Sequence, residues 1–316
     1  MTATVFPPCV EDEIYRGYEL EDLDRVAALE DPGRTAAEGF IVDYFGTRTS
    51  VARAPWLAHR GGEVIRRLPF PDDGFLADGI EYAAMALALE HAGRDRFTFL
   101  EVGAGWGPWT ALAGVLGRRL GFRRVDTIGI EADRARFRMM QSHLHDNGLL
   151  KRPDALSDRV GAVHVRAIRA AGWWRDETLF FPSNASPDDA GLAVTTTGSA
   201  EDYRGQRFEH EEVPAVSIPA LCAKFPVVDY MHIDIQGAEW DLVSKALAFF
   251  NGKVRMMLVG SHSRKIEGDL IDLLYRNNWL LFREKPCRFW GMARSPTLVG
   301  LTAKDGAQLW RNLAIP

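Results

Sequence analysis

Three carboxylates close apolar runs: Glu101 in FTFLEVGAGWG, Glu131 in TIGIEAD and Asp234 in DYMHIDIQGAEW. His232 stands two residues before Asp234, and His262 follows another apolar run in LVGSHSR. Carboxylates and imidazoles at such positions can hold a cationic or hydroxylated ligand and move a proton. Between Glu101 and the next helical pattern lies a turn built from Gly103, Ala104, Gly105, Trp106 and Gly107. Glycines permit a tight turn and close backbone approach to a ligand, and the following helix N-terminus adds positive potential. Close packing of strand on helix is the other use of such a turn. A dinucleotide turn reads G-x-G-x-x-G, whereas the order here is E-x-G-x-G-x-G. That leading carboxylate repels a pyrophosphate and attracts ammonium and sulfonium groups, both of which S-adenosylmethionine carries. No G-K-[ST] follows, so nucleoside triphosphate binding is not supported.

Glu131, 30 positions after Glu101, suits the two hydroxyls of a ribose; capping of a helix that opens at Asp133 is its alternative. Ala132 beside it, and Ala167 and Ile168 at the end of a third apolar run, complete the expected cofactor contacts. Asp234, His232 and His262 are the candidate bases. The spacing of two puts His232 and Asp234 on one strand face. Asp234 also suits a structural ion pair, or a Mg²⁺ ion shared with Glu239 or His262. The chain lacks a dense carboxylate cluster, so a metal is not favoured. Glu81 in DGIEYA can reach the ammonium of the cofactor or stand exposed on its helix. Trp106 can stack on the cofactor or close the helix–strand junction.

The elements that must position these groups alternate. Apolar runs at Phe97–Val102, Val125–Glu131, Val163–Ile168, Val228–Ile235 and Arg255–Gly260 read as strands. Helical patterns fall at Asp78–His91, Pro108–Arg119, Asp133–Asn147, Glu239–Phe250 and Ile266–Asn277, with strands at Trp279–Glu284 and Thr297–Thr302 to close. Alternation of this kind predicts an α/β fold with a mostly parallel sheet and helices on both faces. Ligands then bind beyond the carboxyl ends of the strands. About 60 residues between Arg169 and Val227 interrupt the rhythm; a loop that long without structure is unusual. Two or three short strands laid over the ligand face are expected there. Trp106, Trp109, Trp173 and Trp174 all fall on segments near the ligand, which suggests aromatic pocket walls.

The LEVGAGWG turn, the IEAD strand end and above all VDYMHIDIQGAEWDLV resemble the FkbM-type S-adenosylmethionine-dependent methyltransferases. EEVPAVSIPAL before that last stretch and LVGSHSRKIEGDLIDLLYRNNWLL after it are similar to the same family, as is the terminal DGAQLWRN. The likeness covers residues 78–312. Many relatives carry K-I-D-x-E-G where this chain has His232-Ile-Asp234-Ile-Gln236-Gly, and a glutamate at Gly260, so roles of those side chains do not transfer. The resemblance implies a Rossmann-like class I methyltransferase with a seven-stranded sheet. It also implies methyl transfer to a hydroxyl of a small molecule, commonly a sugar or secondary metabolite. N-methylation, or a cofactor-binding protein without catalysis, are the alternatives.

Of 316 residues, 47% are hydrophobic and 26% charged, an ordinary globular balance. The formal charge of −5 disfavours a broad nucleic-acid face. No apolar run of membrane-spanning length and no signal-peptide pattern occur, and Cys9, Cys222 and Cys287 have no metal-ligand spacing. A cytoplasmic protein with no membrane contact is expected. Its domain plan is an N-terminal, mainly helical extension (1–77) ahead of a methyltransferase domain (78–316) with a β excursion at 169–227. A homodimer formed through the extension stays open.

Overall fold

In the computed structural model, residues 16–53, 55–74, 77–183, 191–198, 201–202, 204–291 and 294–316 are described. Cys9, the first 15 residues and parts of the excursion (184–190, 199–200 and 203) lie outside them. The extension gives α1 (Leu20–Ala27), β1 (Phe40–Val42) and β2 (Arg48–Ser50). Next come α2 (Gly79–His91), β3 (Arg96–Val102), α3 (Pro108–Arg119), β4 (Arg124–Glu131), α4 (Arg134–Asp146), β5 (Ser157–Val160) and β6 (Val163–Arg169). The excursion contains β7 (Ala171–Trp173), β8 (Glu177–Pro182) and β9 (His210–Ser217). The chain continues through α5 (Ile218–Cys222), β10 (Val228–Ile233), α6 (Glu239–Lys245), α7 (Leu247–Lys253), β11 (Val254–Ser261) and α8 (Arg264–Tyr275). It ends with β12 (Trp279–Lys285), β13 (Arg288–Phe289), β14 (Thr302–Lys304) and β15 (Gly306–Asn312).

The main sheet has the order β12-β15-β11-β10-β3-β4-β6-β5. Its five central strands are parallel, and β15 runs against both its neighbours. The α/β class and the mostly parallel sheet expected from the sequence are what the chain forms. The chain steps outward from β3 to β4 and β6, then returns to lay β10 on the other side of β3. That reversal opens a crevice at the carboxyl ends of β3 and β10, the usual ligand position in open α/β sheets.

Three details differ from expectation. An eighth strand, β5, pairs antiparallel at the edge; its residues alternate between exposed and half-buried, so no apolar run announces it. The closing strand is β15 rather than Thr297–Thr302, because Leu309 and Trp310 supply the buried side chains. Residues from 302 pair instead with β13 in a separate two-stranded ribbon. The helix expected over Glu239–Phe250 is two short helices, with Ala246 out of helical geometry between them.

Side-chain parity along the strands decides what faces the site. Phe97, Phe99, Tyr230 and Leu258 belong to one core layer, which also contains residues of α2, α3 and α4. Leu100, Met231, Ile233 and Val259 belong to the opposite layer. Glu101, His232 and Asp234 continue the first series, so they emerge beside α2 and α3. Helix α2 is apolar on nearly all sides and almost wholly buried, as a helix enclosed by structure should be. The extension supplies Val26, Leu29, Tyr44 and Phe45 to the same layer. Asp22, fully buried, holds Arg283 of β12 at 2.7 Å. The excursion forms a three-stranded sheet, β7-β9-β8. Among the described residues, no helix is long and apolar enough to cross a membrane.

Candidate active site

A cavity of about 380 Å³ opens where β3, β4 and β10 end. Its floor is the glycine turn. A Cβ on Gly103 would lie 1.8 Å from the Asp234 carbonyl oxygen, so the turn can pass β10 only as glycine. A Cβ on Gly105 would meet no protein atom within 4 Å, and Gly105 lines the cavity. Glu131, at the end of β4, accepts the Gly105 N–H at 2.6 Å on one oxygen and the Asp133 N–H at 2.7 Å on the other. The helix-capping role falls to Asp133, whose side chain accepts the Arg136 N–H. Glu131 therefore ties the turn to the next strand end while its carboxylate lines the cavity. Burial pushes it up to about 7.

Glu101 also lines the cavity, but it is anchored to α3: Thr110 donates both its N–H (2.7 Å) and its hydroxyl to one carboxylate oxygen. Burial pushes Glu101 up to about 7. Glu81 is not the exposed helix carboxylate that stood as its alternative. It completes a capping box by accepting the Asp78 N–H at 3.0 Å, and its other oxygen meets His232 Nε2 at 3.2 Å. His232 sits opposite Glu101 in the β3–β10 register, with its ring 5.7 Å from that of Trp109. Among the described residues, its Nδ1 has no hydrogen-bond partner. Burial disfavours a proton on His232, but the Glu81 hydrogen bond and the charges of Glu81, Glu101 and Asp234 outweigh it and hold the imidazole above its ordinary value. Paired in this way, His232 is poorly placed to act as a free base.

Asp234 is the accessible member, with its side chain 40% exposed. Its Oδ1 accepts the Gln236 amide N–H at 3.0 Å and lies 3.3 Å from His262 Nε2. Gly260 on β11 leaves it room, since a Cβ there would stand 3.3 Å from Asp234 Cγ. His262 differs from its expected role as base. It is only 3% exposed and does not line the cavity. Its Nδ1 bonds to Glu239 Oε1 at 2.9 Å. Burial opposes the proton, yet the charge and hydrogen bond of Glu239 and the charge of Asp234 push His262 up to about 10. Both of its ring nitrogens thus face carboxylates, Nδ1 that of Glu239 and Nε2 that of Asp234.

Asp234, Glu239 and His262 offer donor atoms within 4.8 Å of one another, the only grouping of this kind among the described residues. The donors fit a metal poorly. Glu239 already accepts backbone N–H bonds from Ile235 and Gly237 as well as its bond to the imidazole, which leaves little of its acceptor capacity for an ion.

Ala104, Trp106, Gly103 and Ala132 line the cavity, whereas Ala167 and Ile168 do not. Strand β6 runs one residue further than expected, with Arg169 opposite Glu131, and the lining comes from the residues after it, Ala170, Ala171 and Gly172. Trp106 lines the cavity and also lies against the buried His143, ring centroids 4.7 Å apart. Trp109 is part of the wall, but Trp173 and Trp174 are not. Trp173 is buried and donates its indole N–H to Glu177. Phe181, Leu192 and Val194 of the excursion supply that apolar wall; no motif surrounds them. Gln236 and Arg136 were also missed. Gln236 carries a readable signal, a side chain placed directly before Gly237 in a strand-to-helix turn.

Residues 101–277 match the family model of the methyltransferase FkbM domain, more than half of the chain. The chain belongs to the FkbM methyltransferase family. Within curated proteins it is similar to one from Jannaschia sp. (strain CCS1) that bears a methyltransferase name, 28% identical over 291 residues covering 91% of this chain and 98% of that protein. Among solved structures, methyltransferase FkbM from Methylobacillus flagellatus KT is 15% identical, with 74% of this chain and 56% of that chain covered and a TM-score of 0.36. The precorrin-6y C5,15-methyltransferase from Geobacter metallireducens GS-15 is 8% identical, with 77% and 96% covered and a TM-score of 0.38. In this FkbM-family chain the matched span begins at Glu101 and includes Glu131, Asp234, Glu239 and His262.

Proposed function

We propose that this FkbM-family methyltransferase uses S-adenosylmethionine and methylates a hydroxyl group of a small molecule, a sugar or secondary metabolite. When bound, the cofactor supplies an electrophilic methyl group on a sulfonium centre. The chain's task is to hold the acceptor in line with that methyl and take its proton. Donors and charges along the cavity suit such a cofactor. Glu131 has lone pairs left for ribose hydroxyls, and Glu101 and Glu81 bring negative charge toward an ammonium. The apolar wall of Phe181, Leu192 and Val194 suits a planar base.

The observation that carries hydroxyl transfer is Asp234. It is a part-exposed carboxylate at the cavity, with one oxygen held by Gln236 and His262. An alcohol needs a base during transfer, and a neutral amine does not. Asp234 Oδ2 is the atom to accept that proton. A small acceptor is favoured by the modest cavity and the net negative charge. The test is a panel of hydroxylated and amine acceptors with methyl-labelled S-adenosylmethionine. Label should enter a hydroxyl compound and vanish with Asp234→Asn. Transfer only to amines, undiminished in that variant, would overturn the proposal.

A further inference from the structure

Glu239 is fully buried and has no contact with the cavity, yet two arms run from its carboxylate to the same atom of Asp234. One arm is His262, bonded to Glu239 Oε1 at 2.9 Å through Nδ1 and 3.3 Å from Asp234 Oδ1 through Nε2. The other is the turn after β10. Glu239 accepts the N–H groups of Ile235 (3.1 Å) and Gly237 (3.0 Å), which bracket Gln236. Gln236 adopts φ 56°, a left-handed conformation that non-glycine residues rarely take without outside support. From there its amide reaches Asp234 Oδ1 at 3.0 Å.

A buried carboxylate survives only when paired and hydrogen-bonded, and Glu239 is both. We infer that Glu239 is a positioning residue: through a resident His262 imidazolium and the clamped Gln236 turn, it anchors Asp234 Oδ1 and leaves Oδ2 to meet the acceptor. The proton on His262 fills the place that a divalent cation would take between the carboxylates. This inference rests on Asp234 acting as the base. The charged groups facing His262 are Glu239 on α6, Asp234 after β10 and Asp305 between β14 and β15. Lys285 in turn faces Asp305. The imidazolium is thus surrounded by carboxylates, and Glu239 alone is both fully buried and hydrogen-bonded to it.

The experiment is imidazole ¹⁵N NMR of the full chain, followed from about pH 6 to about pH 9. His262 should stay doubly protonated throughout, with or without millimolar Mg²⁺. Glu239→Gln should lower its titration midpoint by roughly two units, and Glu239→Asp should restore part of that. With an acceptor in hand, Glu239→Gln should lower kcat roughly 10- to 100-fold and add an ionisation to its pH profile, leaving S-adenosylmethionine affinity within about twofold. A neutral His262 at pH 7 in the unaltered protein, displacement of its proton by Mg²⁺, or a midpoint unmoved by Glu239→Gln would each overturn the inference. The wild-type titration decides even if Glu239→Gln does not fold. Normal turnover by Asp234→Asn alongside the expected NMR would unseat Asp234 as base and leave the arrangement standing.

Discussion

Asp234 and Glu131 answer to different measurements, although both are carboxylates at strand ends. Asp234→Asn should cost about 10²- to 10⁴-fold in turnover, while calorimetry detects S-adenosylmethionine binding close to that of the parent. Glu131→Gln should do the reverse first, weakening the cofactor roughly tenfold or more through the loss of a charged hydrogen-bond acceptor. Glu101 and Glu131 stand at about 7 in the free protein because of burial. Ammonium and hydroxyl donors favour their ionised forms, so cofactor affinity should rise by about tenfold or more between pH 6 and pH 8. A flat affinity profile over that range would contradict the assignment. At this scale the sequence marked Glu101, Glu131 and Asp234 because each ends an apolar run. It could not reveal the pairing of His262 with Glu239, which is 23 positions away in sequence and 2.9 Å away in space.

Gly103 and Gly105 make a matched test of the glycine turn. Gly103→Ala forces a Cβ onto the Asp234 carbonyl at a φ of 80° and should destabilise the fold by about 2 kcal/mol or more, read as a lower urea midpoint. Gly105→Ala meets no protein atom but must hold a φ of 55°, so it should cost only about 1 kcal/mol of stability and lose cofactor affinity as well. Elements with strong periodicity were legible: α3 begins and ends where its sequence pattern does, and the LEVG and MHID runs end in the expected strands. Where physical signals are weak, expectation and structure part. The polar edge strand β5 has no apolar run. The apolar wall of Phe181, Leu192 and Val194 depends on how β8 folds back along β9, a long-range pairing that no local motif encodes. Strand β6 ends one residue beyond its apolar run, and the cavity is lined not by its last residues but by the segment that follows, Ala170–Gly172.

The molecule as a whole carries buried acids whose charge folding disfavours. Asp43, Glu101 and Glu131 each rise to about 7. A carboxyl raised by folding contributes stability below its unfolded value, and that stability is lost as pH rises through the folded value. The ligand-free thermal midpoint should therefore fall between about pH 5 and about pH 7.5, and bound S-adenosylmethionine should raise it most at the upper end. Carboxyls lowered by folding, such as Glu239 and Asp126, act below about pH 4.5 and do not reverse that trend. The extension is fastened to the far edge of the sheet by Asp22 and Arg283. Asp22→Asn should cost about 2–4 kcal/mol in denaturant unfolding by leaving a mostly buried guanidinium uncompensated. The return of the chain from β6 to β10 also has a consequence for how the protein is made. Glu101 and Glu131 leave the ribosome within 30 residues of each other, while Asp234 and His262 follow more than 100 residues later. A nascent chain thus carries the groups proposed to grip a cofactor well before it carries those proposed to use one.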